Sequence, residues 1–101
     1  MNMQNLLAQA QKMQRELKKA HEDLAQEEFS VSKGGAVTVV FYGDRKIKKV
    51  DIDAAALEAD NKEMIEEMLK LAIDEALKNI KLAEDEINTR ITGRAEGMMG
   101  F

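Results

Sequence analysis

Apolar residues recur at Met3, Leu6, Ala10, Met13, Leu17, Ala20 and Leu24, with gaps that alternate between three and four. This is a heptad seam held for about three heptads, and it predicts a first helix of about 24 residues, about 36 Å long. Gln, Lys, Arg and Glu fill the positions between, and no Gly or Pro interrupts. So long a helix with so narrow a seam needs a second helix against it.

The texture changes at Glu27. FSVSK alternates, GG follows, then AVTVVFY, GDRK and IKKVDID. The pattern predicts three short strands in an antiparallel meander, with Gly34-Gly35 and Gly43-Asp44 at the turns. The second strand is apolar on both faces, with Val37, Val39 and Phe41 on one and Val40 and Tyr42 on the other. Such a strand is expected to be covered on both sides. The third strand breaks phase. Val50 and Ile52 share a face with Lys48 while Ile47 falls opposite, so either Ile47 belongs to the turn or a bulge shifts the register.

Residues 54–58 suit a helical turn, and Asp60 or Asn61 suits an N-cap. A second helix is expected from about Lys62 to Arg90. Its stripe is Ile65, Leu69, Ala72, Ala76, Ile80, Ala83 and Ile87, widened by Met64, Met68, Ile73 and Leu77. Gly93 is the expected stop and residues 93–101 the expected mobile tail. The fold class is α+β: a three-stranded meander flanked by long N- and C-terminal helices. The 101 residues form one domain, 1–101, without an internal repeat. The first seam and the two-faced strand exceed what a small chain covers alone, so a homodimer is expected. Its interface is placed on Met3, Leu6, Met13, Leu17, Val39 and Phe41.

Composition narrows the function. The chain has no Cys, which removes disulfides and thiolate chemistry. No apolar run approaches the roughly 20 residues of a membrane span, and MNMQNLLAQAQKMQ lacks the layout of a signal peptide. A soluble cytoplasmic protein is expected. The single His21 flanks the helical seam. No phosphate loop follows Gly34-Gly35, because no Lys-Ser/Thr pair and no helix opens there. Glu66/Glu67 and Asp74/Glu75 read as solvated helix faces, while Asp51 and Asp53 share a strand face. No catalytic residue, cofactor, metal site or small-molecule substrate is expected.

The charge is segregated. Residues 1–50 carry nine Lys/Arg against six Asp/Glu, and residues 51–101 carry six against thirteen, within a net charge of -4. Lys12, Arg15 and Lys19 recur at i, i+3 and i+7 opposite the seam, with Lys18 beside them. They form either a stripe that tracks phosphates or an ordinary solvated face paired with Glu22 and Asp23. Arg45, Lys46, Lys48 and Lys49 crowd the second hairpin. They either extend a binding surface or keep a strand edge soluble.

The chain resembles the YbaB/EbfC family of bacterial nucleoid-associated proteins over nearly its full length. The likeness rests on LLAQAQKMQRELKKAHEDLAQ, the strand entry GGAVTV, the hairpin FYGDRKIKKVDID, LAIDEALKNI in the second helix, and a Gly/Met/Phe tail. Two departures are Arg45, where the family often has a small residue, and a tail without Pro. The resemblance implies a homodimeric, non-enzymatic protein that binds double-stranded DNA with low or modest sequence preference, organises the nucleoid and influences expression. It implies contacts from the helical arms, which favours Lys12, Arg15, Lys18 and Lys19 and adds Arg90 and Arg94. The alternative is a protein–protein interaction module or scaffold with a coiled-coil-like helix, for instance in DNA repair.

Overall fold

The computed structural model describes the backbone of residues 2–99 and the side chains of residues 2–93. Helix α1 spans Met3–Gln26 and opens on Asn2, whose Oδ1 accepts the Asn5 amide at 2.8 Å. Strands β1 (Glu28–Lys33), β2 (Val37–Tyr42) and β3 (Ile47–Ile52) form one antiparallel sheet in the order β1-β2-β3. Two 3-10 turns, Ala54–Ala56 and Ala59–Asn61, lead into helix α2, Lys62–Met99.

The first turn needs positive φ at both central residues, and Gly34 (59°) and Gly35 (66°) supply it. At the second hairpin β3 carries a bulge. Phe41 pairs with Ile47 and Val40 with Lys49, which leaves Lys48 as the extra residue. The bulge resolves the phase break. Ile47, Val50 and Ile52 stand opposite Phe41, Val39 and Val37, and so share their side of the sheet.

That side is covered by α2. Val31, Val37, Val39 and Phe41 pack against Ala72, Ala76 and Ile80. The two alanines let helix and sheet approach closely. Each fully buried Val or Ile contributes about 1.5–3 kcal/mol relative to exposure. The other face of β2 carries no second layer: Thr38, Val40 and Tyr42 are half-buried among Ser30, Ser32, Lys49 and Asp51 of the neighbouring strands. The expected two-sided cover is therefore one-sided within a chain.

Helix α1 finds the helix its seam needs within the same chain. It packs along the later part of α2, where Ala20 and Leu24 line one cleft with Ala83 and Ile87. His21 Nε2 and Asn88 Oδ1 lie 2.9 Å apart across this contact. The result is a long, narrow molecule, 69 × 22 × 14 Å.

Three expectations change. Val39 (0% exposed) and Phe41 (4%) are sealed under α2 of their own chain and have no surface left for a dimer interface. Gly93 does not end α2, which continues to Met99. Positive φ is confined to Gly34 and Gly35 among the described glycines, and a glycine without the left-handed cap conformation is tolerated inside a helix at about 1 kcal/mol relative to Ala. The last two residues of the expected tail lie outside the described residues. Asn61 does not cap α2 either: its Nδ2 donates to the Ala56 carbonyl at 3.0 Å.

Candidate nucleic-acid interface

The basic positions on α1 and those on the hairpin differ in their neighbours. On α1, Lys12, Arg15 and Lys19 are exposed and have no ion-pair partner among the described residues. Only Lys18 has one, Glu22 one turn on, at 4.0 Å. Lys19 is not paired with Asp23. Their i, i+3, i+7 spacing places three free cations on about 10 Å of one helix face, the face turned away from the seam. Desolvation does not hold these side chains, so they can adjust to phosphates without losing a protein partner.

On the hairpin, three of the four cations are engaged. The Arg45 guanidinium grips Glu84 of α2 through both terminal nitrogens, Nη1 to Oε2 at 3.3 Å and Nη2 to Oε1. Lys48, pushed out by the bulge, reaches across the sheet to Glu28 of β1. Lys49 lies 3.8 Å from Asp51 on the same strand face. Lys46 has no ion-pair partner among the described residues, and its backbone amide donates to Asp44 Oδ1 at 3.0 Å, closing the turn. The hydrogen bond from Arg45, offset in part by burial, lowers the Glu84 carboxyl below its ordinary value, and that from Lys48 to Glu28 raises the Lys48 ammonium above its own.

Asp53 caps the first 3-10 turn, accepting the Ala55 amide at 3.1 Å. With Asp51 beside Lys49, neither carboxylate is left over for a site of its own. Arg90 is exposed and lines the α1–α2 cleft with Asp23, Glu27 and Glu86, carboxylates that would repel an approaching phosphate. The Arg94 side chain lies outside the described residues. Among the described residues no group of three or more His, Cys, Asp or Glu gathers as a metal set, and no helix is long and apolar enough to cross a membrane.

Two residues at the hairpin tip have tertiary roles that the sequence reading, which placed Gly43 in the turn and Arg45 in the basic cluster, did not assign. Gly43 is required by proximity, not by φ: a Cβ there would fall 1.9 Å from the Leu24 carbonyl oxygen at the end of α1. Its amide donates to the Glu27 carbonyl at 2.9 Å. The left-handed position of the turn is held by Arg45, at φ 72°. An Arg-for-small departure in a tight turn was the available signal for that second role.

The fold is a small α+β domain that leaves Lys12, Arg15 and Lys19 exposed along one face of α1. Residues 1–95 match the YbaB/EbfC DNA-binding family, and the chain belongs to it. It is 39% identical over 102 residues to a nucleoid-associated protein of Ruminiclostridium cellulolyticum, covering 99% of this chain and 88% of that one. A nucleoid-associated protein of Streptococcus agalactiae is 35% identical, covering 100% and 99%. The crystal structure of uncharacterized protein HP0035 from Helicobacter pylori shares the fold, with a TM-score of 0.74 at 22% identity, over 91% of this chain and 98% of that one.

Proposed function

We propose that the protein binds double-stranded DNA as a homodimer, through phosphates, with the α1 cations of both subunits as the principal contacts. The carrying observation is that Lys12, Arg15 and Lys19 are exposed and, among the described residues, unpaired, while Arg45, Lys48 and Lys49 are engaged by Glu84, Glu28 and Asp51. Family membership and relatives called nucleoid-associated support a place on the bacterial nucleoid, in the cytoplasm, where such binding compacts DNA and influences expression. The role requires no catalysis, cofactor or small-molecule substrate. Phosphate contacts carry little sequence information, so preference among duplexes is weak.

The dimer is assigned to the open side of the sheet, not to the α1 seam. Ile47 (55% exposed) and Val50 (46%) share the side of the sheet that α2 covers over β1 and β2, yet remain uncovered on β3. Half-buried Leu69 and Ile73 of α2 line an open apolar groove. A second copy applied there covers apolar surface and an unpaired strand edge together.

The test is fluorescence anisotropy on several unrelated duplexes at low and moderate salt. Neutralising Lys12, Arg15 and Lys19 together with Gln should weaken binding on every duplex and flatten the salt dependence by about one unit per lost contact. Lys48→Gln with Lys49→Gln should do much less. If the hairpin pair abolished binding while the α1 triple variant bound like the parent, the contact surface would be the hairpin. Tight binding indifferent to salt would instead favour a protein-docking module.

A further inference from the structure

We infer that Arg45 is a positioning residue that clamps the basic arm to the sheet, not a phosphate contact; this rests on the reading that α1 carries the DNA contacts. The hairpin tip meets both helices at one junction. Gly43 meets the end of α1 so closely that a Cβ there would lie 1.9 Å from the Leu24 carbonyl oxygen, and its amide donates to the Glu27 carbonyl. Two residues on, Arg45 forks onto Glu84 of α2. One turn further along α2, Asn88 meets His21 of α1. Thus β2–β3, α1 and α2 are tied together within a few residues, at the base of the arm that carries Lys12, Arg15 and Lys19.

Two observations distinguish a clamp from a loose surface pair. Arg45 adopts φ 72°, a conformation that costs a non-glycine residue free energy, so a glycine would be easier to accommodate there. The two-pronged contact is also the geometry for which guanidinium is suited and ammonium is not. Its charge is directed at Glu84, leaving little of it for a phosphate.

Release of the clamp should widen the range of arm orientations. The pair is part-exposed, at 45% and 27% for the two side chains, so its net contribution is modest. A contribution of that size limits the loss of DNA affinity to about five-fold per arm. The sign of the Glu84 effect is decisive. If Glu84 acted only through its charge, Glu84→Gln would remove a repulsive carboxylate and tighten DNA binding. If it holds the clamp, the same change weakens binding.

The experiment compares the parent, Arg45→Gln, Glu84→Gln and the reversal Arg45→Glu/Glu84→Arg. DNA affinity is followed by anisotropy across salt, and arm orientation by spin-label distances. The chain has no Cys, so Gln11→Cys on α1 and Ser30→Cys on β1 take labels cleanly, with labelled chain diluted into unlabelled. The expected result is that both single variants broaden the distance distribution and bind DNA about two- to five-fold more weakly with an unchanged salt slope. The reversal should recover both properties. The inference is overturned if Glu84→Gln binds more tightly with parental distances, or if Arg45→Gln alone lowers the salt slope by about one unit per subunit. A parent that fails to bind DNA would overturn the reading beneath it, while the label distances would still judge the clamp.

Discussion

Helix α1 and the β2–β3 hairpin carry the same kinds of side chain at similar density, yet they present different surfaces. Three of the four cations on the hairpin sit near carboxylates brought from three places: Glu28 across the sheet, Asp51 two residues on, and Glu84 from a helix forty residues later. Four cations on α1 meet only Glu22 among the described residues. A run of Lys and Arg is therefore a poor measure of local potential until the chain's own carboxylates are placed. An acidic chain can still expose unpaired cations, because among the described residues its carboxylates engage three of the four hairpin cations but only one of the four on α1.

In the proposed dimer, the comparison is broken most severely by removing the second arm. Val50→Asp puts a carboxylate on the exposed apolar side of β3, away from the α1 face. The chain should then sediment as a folded monomer, since Val50 is only half-covered within one chain. Losing the second arm removes the gain from bivalency, so affinity should fall by about 10²–10⁴. A Val50→Asp dimer of parental strength would place the interface elsewhere, with Met3, Leu6, Met13 and Leu17 of α1 as the remaining expected positions.

A second test breaks the junction rather than the surface. Gly43→Ala forces a methyl group to within 1.9 Å of the Leu24 backbone oxygen, which no rotamer can relieve. The overpacking should destabilise the fold by about 1–3 kcal/mol, visible in urea unfolding. Gly93→Ala meets nothing within 4 Å and lies inside α2, so it should stabilise by up to about 1 kcal/mol. Equal stabilities for the two variants would remove the close-contact account of Gly43.

The contrast between those glycines shows where sequence reading succeeds. The two seams, three strands and GG turn follow from periodicity and local φ preference, and the fold is built as they dictate. The bulge at Lys48 was legible as a phase break, because side-chain alternation is local. Gly43 and Arg45 were not fully legible. One needs the end of α1 pressed against it, and the other needs Glu84, so both depend on tertiary placement. Val39 and Phe41 were misplaced for a related reason: a two-faced apolar strand shows that cover exists, not which layer provides it. The α1 stripe was visible as a spacing, but its freedom from partners was not.

Arg15→Ala sharpens the comparison by removing one unpaired cation from the arm. It should weaken binding about equally across duplexes and lower the salt slope by up to about two units in a dimer. The dimer itself should persist in sedimentation. A slope equal to the parent's would mean that Arg15 faces solvent even in the complex.

The smallest effect separates two of the hairpin's three ion pairs by pH. Arg45 holds the Glu84 carboxyl below its ordinary value of 4.5, so Glu84 releases its proton more readily folded than unfolded. Its contribution is fully present above the unfolded value and is lost as pH falls through the lower folded one. Lys48 has the opposite sign. Glu28 raises its ammonium above 10.5, so that contribution is present below 10.5 and is lost as pH rises through the higher folded value. The melting-temperature gap between the parent and Glu84→Gln should therefore narrow on acidification from pH 7 to pH 3. The gap between the parent and Lys48→Gln should narrow as pH rises on the alkaline side. Both gaps are small, because the pairs are part-exposed and salt screens them. A Glu84→Gln gap that stayed constant down to pH 3 would show that Arg45 and Glu84 do not form the ion pair in solution.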